Sequence, residues 1–324
     1  MTRAIRHLLG LALVALALAG CATSSDHGLR MAMRALETPT PQPSSKPPTT
    51  VNCTNPTASL RPPASMPVAG HMPSGSFMRE IQDRGYLRAG INTGAFYFGY
   101  LDPTSGNIKG FEIDLVREIA RAIFGDSNPN RVHLLALRVS QREDAVAKGQ
   151  VDIVVDTVTI TCKRKHQVDF STVYYQANQR VLVPSNSAAT DINAFNHQRV
   201  CATKNSTPYD VMKANYPQVI AYGTDQAIDC LPLLQEGRVA AISTDDAILL
   251  GFRSQDQNTK IIGGDLSPAP YGMEISKQHP PFVRFVNGVL AKLRADGTWR
   301  ALFHRWLGGI SDANPLLPPP QYEG

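Results

Sequence analysis

Tryptophan, aromatic residues and charge are all scarce in this 324-residue chain, which has two Trp, 7% aromatics and 18% charged residues. Neither sign of charge dominates: 32 Lys and Arg stand against 27 Asp and Glu, a formal +5, which falls to +3 without Arg3 and Arg6. No basic stripe with interleaved aromatics occurs, so no nucleic acid is expected as a partner. The G-x-S-x-G, H-E-x-x-H and P-loop patterns are missing, which removes those hydrolase and nucleotide-binding chemistries. The five cysteines fit no zinc spacing and none has a histidine beside it at ligand spacing, so no metal or cofactor is expected. What is present suffices for folded cores: 43% hydrophobic residues over a length that suggests about two domains at roughly 150 residues each.

The longest apolar run, residues 8–19, is interrupted only by Gly10 and follows Arg3 and Arg6. Twelve helical residues span about 18 Å, well short of a hydrocarbon core of about 30 Å. A basic start, a short apolar centre and small residues at its end read as a secretory signal over residues 1–20. The end, Leu18-Ala19-Gly20-Cys21, resembles a bacterial lipobox, in which the Cys21 thiol is diacylated and the chain is cut before it. Two acyl chains are what stable anchoring takes. The expected location is therefore the outer face of the cytoplasmic membrane, held through lipid.

Ten of the 24 prolines fall between Pro39 and Pro73, among serines and threonines, and residues 21–76 show no sustained periodicity. Such composition predicts an extended membrane tether. Pro315 and Pro318-Pro319-Pro320 mark a tail, residues 311–324. Beyond Cys21 four cysteines remain, and four allow three pairings in an oxidising compartment. Cys201 and Cys230 lie within one βα stretch and are paired here, which leaves Cys53 with Cys162 to staple the end of the tether to the folded body. Free buried thiols are the alternative.

Between residues 87 and 262 strands and helices alternate. Strands are predicted at 87–91, 131–137 and 151–155, with helices at 111–124 and 140–148. After Arg180-Val181-Leu182-Val183, closed by Pro184, a second series places strands at 199–202, 219–221, 239–242 and 260–262. Its helices are 207–215, 227–236 and 246–254, and a last helical block covers 282–307. Two such series imply an α/β protein of two lobes, with ligand sites at the carboxyl ends of the strands.

Four blocks make a resemblance specific. Gly110-Phe111-Glu112-Ile113-Asp114-Leu115, followed by Ile119-Ala120 and Ile123, matches the signature of the family 3 extracellular solute-binding proteins, the amino-acid receptors of ABC importers. Val151-Asp152-Ile153-Val154-Val155 leads to Thr159-Ile160-Thr161, Arg164 and Val168-Asp169-Phe170-Ser171; Ser243-Thr244-Asp245-Asp246 and Asp296-Gly297-Thr298-Trp299 follow in order. The resemblance covers about residues 85–307. It implies a two-lobed type II periplasmic-binding fold with a two-strand hinge near residues 180–183 and 271–275. Lobe 1 would be 77–182 with a return at 274–310, lobe 2 would be 183–273, and the ligand would lie between them.

A free amino acid needs a cationic fork for its α-carboxylate and an anionic acceptor for its ammonium. Arg164 suits the first, since a guanidinium presents two parallel donors to two oxygens. As a cleft residue at the surface, it is expected to contribute little to stability. The resemblance adds Thr159, the backbone of Thr157, Thr207 with Lys204 beside it, and Asp245 for the ammonium, although Asp245 or Asp246 would equally suit a helix N-cap. It also implies a ring over the ligand, from the cluster Phe96, Tyr97 and Phe98 with Tyr100, among which Phe96 and Tyr97 are singled out. Arg142 occupies the place where glutamate and aspartate receptors carry a side-chain-binding arginine, which favours those ligands over glutamine or asparagine; Asp156 would pair with Arg142 or repel an acidic side chain. The resemblance further implies a permease and its ATPase as partners, a monomer, and no enzymatic activity. A membrane-tethered sensor for a signalling partner is the alternative function, and a cyclohexadienyl dehydratase-like enzyme on the same scaffold a remoter one.

Overall fold

A computed structural model describes residues 53–309 and 317–323. The predicted signal, Cys21 and most of the predicted tether lie outside the described residues. Among the described residues, no helix is long and apolar enough to cross a membrane.

Helix α1 (Phe77–Arg84) starts on Ser76, whose side chain accepts from the Arg79 amide. Strand β1 (Leu87–Ile91) follows, then three short strands, β2 (Gly94–Ala95), β3 (Gly99–Leu101) and β4 (Ile108–Lys109), which form a small antiparallel sheet. These strands of two or three residues carry no periodicity to read from sequence. Helix α2 (Phe111–Phe124) buries Phe111, Leu115, Ile119 and Ile123. At Gly110, before it, φ is 138° and a Cβ would stand 2.0 Å from the Phe98 carbonyl oxygen, so only glycine fits.

Strand β5 (Val132–Ala136), helix α3 (Arg142–Ala147), strand β6 (Ile153–Val155), the single-turn helix α4 (Cys162–Lys165) and strand β7 (Asp169–Phe170) complete the first pass through lobe 1. Strand β8 (Tyr175–Pro184) then crosses to lobe 2. There β9 (Arg199–Thr203), α5 (Thr207–Asn215), β10 (Ile220–Thr224), α6 (Cys230–Gln235), β11 (Ala241–Asp245) and α7 (Asp246–Gln255) alternate as predicted. Strand β12 (Thr259–Tyr271) runs back beside β8 from Thr259 opposite Pro184 to Tyr271 opposite Tyr175. Strand β13 (Glu274–Ile275) and helices α8 (Pro280–Ala295) and α9 (Thr298–Leu307) return to lobe 1. The predicted last helical block is thus two helices, divided at Gly297 with φ 81°.

The sheet orders are β5-β1-β6-β13-β7 and β10-β9-β11-β8-β12. In the first, β1 is parallel to β5 and β6; in the second, β9 is parallel to β10 and β11. Strand β12 is far longer than the predicted 260–262. Pro268 and Pro270 argue against a strand, yet β12 is the edge of its sheet, where a residue without an N–H is tolerated. Lobe 1 packs β1 side chains against Phe111 and Ile119 of α2, Phe282 of α8 and Trp299 of α9. Residues 181 and 182, expected in lobe 1, belong to the core of lobe 2: Leu182 joins a cluster with Cys201, Cys230 and Phe252, while Val181 and Val183 join another with Val200 and Met212 on the opposite face. Alternation along β8 therefore fills both layers of the lobe.

Both cysteine pairs are bonded, Cys53 to Cys162 and Cys201 to Cys230, with Cα–Cα separations of 5.8 and 5.7 Å. From Cys53 onward the chain does not behave as the predicted tether, which was to extend to residue 76. Ser59 Oγ donates to the Phe170 carbonyl, Asn287 Nδ2 donates to Ser59 Oγ at 2.8 Å and to the Leu60 carbonyl at 2.7 Å, and Met72 is buried. The predicted tail differs too: the Ser59 amide donates to the Gln321 carbonyl at 3.0 Å and the Glu323 amide to the Ser59 carbonyl at 2.9 Å. Proline-rich chain lies well along a surface because it arrives already extended and needs few partners for its missing N–H groups.

Candidate functional site

The site is assembled at the ends of strands from both lobes. Buried β6 delivers Asp156, Thr157 and Thr159 beyond its carboxyl end. Thr161 caps α4 by accepting from the Arg164 amide at 3.2 Å, and this turn aims the Arg164 side chain inward. In lobe 2, β9 leads to Ser206, which caps α5 by accepting from the Tyr209 amide at 3.3 Å, with Thr207 and Pro208 in the first turn. Pro208 lies in the first turn of α5, where its missing N–H costs no intrahelical bond. Strand β11 ends at Asp245.

Arg142, Thr157, Thr159, Arg164, Thr207 and Asp245 line one cavity of about 30 Å³. Arg164 and Thr207 also line a wider cleft of about 360 Å³ with Glu143 and Asp210. Six of the nine residues singled out from sequence are thus brought together from two lobes. The other three are not. Lys204 is 54% exposed and lies 3.6 Å from Asp225. Phe96 and Tyr97 do not line the cavity; Phe96 packs edge-on to Tyr97 at 4.5 Å and against Tyr100 at 4.4 Å. Its Cβ is 3.1 Å and its carbonyl oxygen 3.2 Å from where a Cβ would stand on Gly251 of α7, so residue 96 makes a close lobe-to-lobe contact.

Arg164 is 9% exposed, not the surface residue expected. Its Nε donates to Glu143 Oε1 at 2.9 Å and its Nη1 to the Thr159 carbonyl at 2.7 Å. Longer contacts reach lobe 2, from Nη1 to Thr207 Oγ1 at 3.5 Å and from Nη2 to the Asn205 carbonyl at 3.4 Å. Arg142 opens α3 and is 4% exposed; its Nη1 donates to the Asp156 carbonyl at 2.8 Å. The Asp156 carboxylate stands 3.7 Å away, beyond the 2.7–2.9 Å of a charge-assisted bond, and Arg142 Nε has no partner among the described residues.

Asp245 and Asp246 divide the roles that sequence left open between them. Asp246 Oδ1 accepts from the Ala247 amide at 2.7 Å and the Asn178 amide at 3.2 Å, which holds the start of α7. Asp245 makes no cap; its Oδ2 accepts from the Tyr271 hydroxyl at 2.8 Å and its Oδ1 is unpartnered among the described residues. Burial pushes its carboxyl up to about 7, against the Tyr271 bond that lowers it.

Glu112, Tyr174, Glu143, Tyr271 and Glu274 were missed as parts of the site. Glu112 Oε1 accepts from the Thr157 amide at 2.7 Å and from the Tyr174 hydroxyl, so the Thr157 amide is engaged within the protein. Its signal was legible: Glu112 shares a helical stripe with Val116, Ile119 and Ile123, an acid where the pattern asks for an apolar residue. The others come from distant segments and leave no local mark.

Four buried carboxyls titrate high, chiefly through desolvation: Asp156 to about 6, Asp245 to about 7, Glu112 and Glu274 to about 8. Each keeps its proton in the folded chain at pH values where the unfolded chain has released it. Between about pH 4 and pH 8 the native state therefore binds more protons, and stability falls as pH rises. Asp102, Asp126, Asp144 and Asp296, held low by Lys109, Arg131, Lys148 and Lys292, titrate below that window, and His279, lowered by burial, works against the trend. Calorimetric melting is expected several degrees lower at pH 8 than at pH 5, with a shallower slope in Glu274→Gln. A melting temperature that rises over this range would contradict the burial of these acids.

Comparison with known proteins places this geometry. The ABC transporter glutamine-binding protein GlnH of Bacillus subtilis is 30% identical over 228 residues, 70% of this chain and 83% of that protein. The glutamate-binding protein GluB of Corynebacterium glutamicum is 25% identical over 232 residues, 67% of this chain and 78% of that one. The solute receptor for L-cysteine of Neisseria gonorrhoeae superposes with a TM-score of 0.68 at 25% identity, covering 72% of this chain and 94% of that chain. The fold is that of bacterial amino-acid-binding proteins. The sequence model of the bacterial extracellular solute-binding proteins, family 3, matches residues 87–309, which span both lobes and every cavity residue named above, and the chain belongs to that family.

Proposed function

We propose that the protein is the lipid-anchored receptor of an ABC importer, capturing a polar amino acid between its lobes and passing it to a permease and its ATPase, with glutamate or aspartate preferred over glutamine or asparagine. The observation that carries this reading is that Arg164 of lobe 1 and Asp245 of lobe 2 line one cavity together with a second guanidinium, Arg142. Arg164 offers Nη donors to an α-carboxylate in exchange for its two long contacts to lobe 2. The unpartnered Asp245 Oδ1 accepts from the ammonium. An amino acid held at both ends ties the lobes together, and bonds made only when they meet favour the closed arrangement by their full strength. Arg142, with an unpartnered Nε and a carboxylate neighbour beyond bonding distance, has donors left for an acidic side chain. Leu18-Ala19-Gly20-Cys21 supports the lipid anchor.

The test is isothermal titration with L-glutamate, L-aspartate, L-glutamine and L-asparagine. Each charge-assisted bond is worth about 1.5–3 kcal/mol, so the two acids are expected to bind at least about ten-fold tighter than the two amides. Arg142→Met is expected to abolish that preference by weakening glutamate far more than glutamine. Equal losses for both would remove Arg142 from specificity; an absence of binding for all four would overturn the receptor reading.

A further inference from the structure

A four-residue helix has no stability of its own, because its nucleation cost exceeds what its few internal bonds return. Helix α4 is such a helix, and it carries Arg164. Its position is set by what grips it, and two grips lie on either side of Arg164 in the same turn. Cys162 is bonded to Cys53, the first described residue. Lys165 Nζ donates to the Ala58 carbonyl at 2.6 Å and pairs with Glu323 Oε1 at 3.1 Å. Both partners belong to one strap, made where residues 53–61 run beside residues 317–323. The strap is held in register by the Ser59–Gln321 and Glu323–Ser59 amide bonds and by Asn55 Nδ2 donating to Gln321 Oε1 at 2.6 Å. It is held to lobe 1 by Ser59 against Phe170 and Asn287, and by Arg294 Nη1 donating to the Pro318 carbonyl at 2.8 Å.

We infer that this strap positions the carboxylate clamp: Cys53, Cys162 and Lys165 are positioning residues that hold α4, and through it Arg164, at the cavity wall. The inference rests on the receptor reading for its effect on affinity. Its mechanical part, that the strap orders α4, stands without it. Since coupling between two sites is reciprocal, ligand held by Arg164 also tightens the strap.

The experiment compares the protein with Cys53→Ser/Cys162→Ser and with Cys201→Ser/Cys230→Ser, using titration with L-glutamate and with L-glutamine well below the melting temperatures, and amide hydrogen exchange. Loss of the strap disulfide is expected to weaken binding at least ten-fold and to speed exchange of the amides at residues 162–168 at least ten-fold. Loss of the lobe 2 disulfide should lower the melting temperature yet leave both readouts within two-fold. A strap variant with a lowered melting temperature but affinity within two-fold of the parent would reduce the strap to a structural role and overturn the inference. Should the parent bind neither amino acid, the receptor reading fails, and exchange at residues 162–168 alone decides: unchanged protection overturns the strap's role, faster exchange supports it. Where the disulfide variant fails to fold, Lys165→Met with Glu323→Gln keeps the disulfide and removes the second grip. It is expected to give a three-fold or larger loss of affinity with faster exchange, and no change in either would overturn the inference.

Discussion

Arg164→Met is expected to weaken L-glutamate binding by at least about 100-fold, the loss of two charge-assisted bonds to the α-carboxylate at about 1.5–3 kcal/mol each. The same substitution should also lower the melting temperature. Arg164 is 9% exposed and partners both Glu143 and the Thr159 carbonyl, so its removal strands a carboxylate and a buried carbonyl together. Glu143 keeps 19% of its side chain in solvent, which limits the cost to about 1–3 kcal/mol, below the loss from breaking a fully buried pair. Arg164→Lys separates the two effects. It retains the charge but loses the fork, and about ten-fold weaker binding is expected, with most of the stability kept. Titration calorimetry and differential scanning calorimetry on the three proteins measure both quantities. Affinity within three-fold of the parent in Arg164→Met would remove the carboxylate clamp from this residue.

Asp245→Asn should weaken binding by about 30–100-fold at pH 8 and far less at pH 5.5, because an ammonium needs the ionised carboxylate and the buried Asp245 titrates near 7. The parent should accordingly bind more tightly as pH rises, by about ten-fold per unit below pH 7, and level off above it. Ligand ammonium stabilises the ionised form, so binding at pH 6 should release a proton, visible as a dependence of binding heat on buffer ionisation. The asparagine amide oxygen still accepts from the Tyr271 hydroxyl, so the local structure survives. Without an ionising group, the unliganded variant should melt above the parent at pH 8 and close to it at pH 5. An affinity that does not vary with pH in the parent, matched by an unchanged profile in Asp245→Asn, would show that the ammonium is held elsewhere.

The residues that carry these predictions differ in how they announced themselves. Arg164 was legible because its neighbours are local: a buried strand, a threonine turn and a basic helical turn follow one another within fifteen residues. Its burial was not legible, since Glu143 and the lobe 2 groups that cover it belong to other segments. Asp245 was ambiguous with Asp246 until Asn178 and Tyr271 told them apart: Asp246 bonds the Ala247 and Asn178 amides from the first position of the helix, while Asp245 faces the cavity. The aromatic run at 96–100 advertised a ring over the ligand, but Phe96 is taken up by Gly251 across the lobes. Residues 53–73 looked like free spacer because proline hides periodicity, although Ser59 and Asn287 meet across 228 positions.

Sequence by itself determined the alternation of strands and helices, the two lobes and the family, because period, caps and turn residues act over a few neighbours and survive in one dimension. It also determined which ionic groups end the strands. Tertiary structure alone decided which of those groups share a cavity, which are already paired, how far burial shifts their protons, and that both ends of the described chain fasten the turn holding Arg164. Desolvation and long-range pairing depend on what is packed from far along the chain, and no local pattern records that.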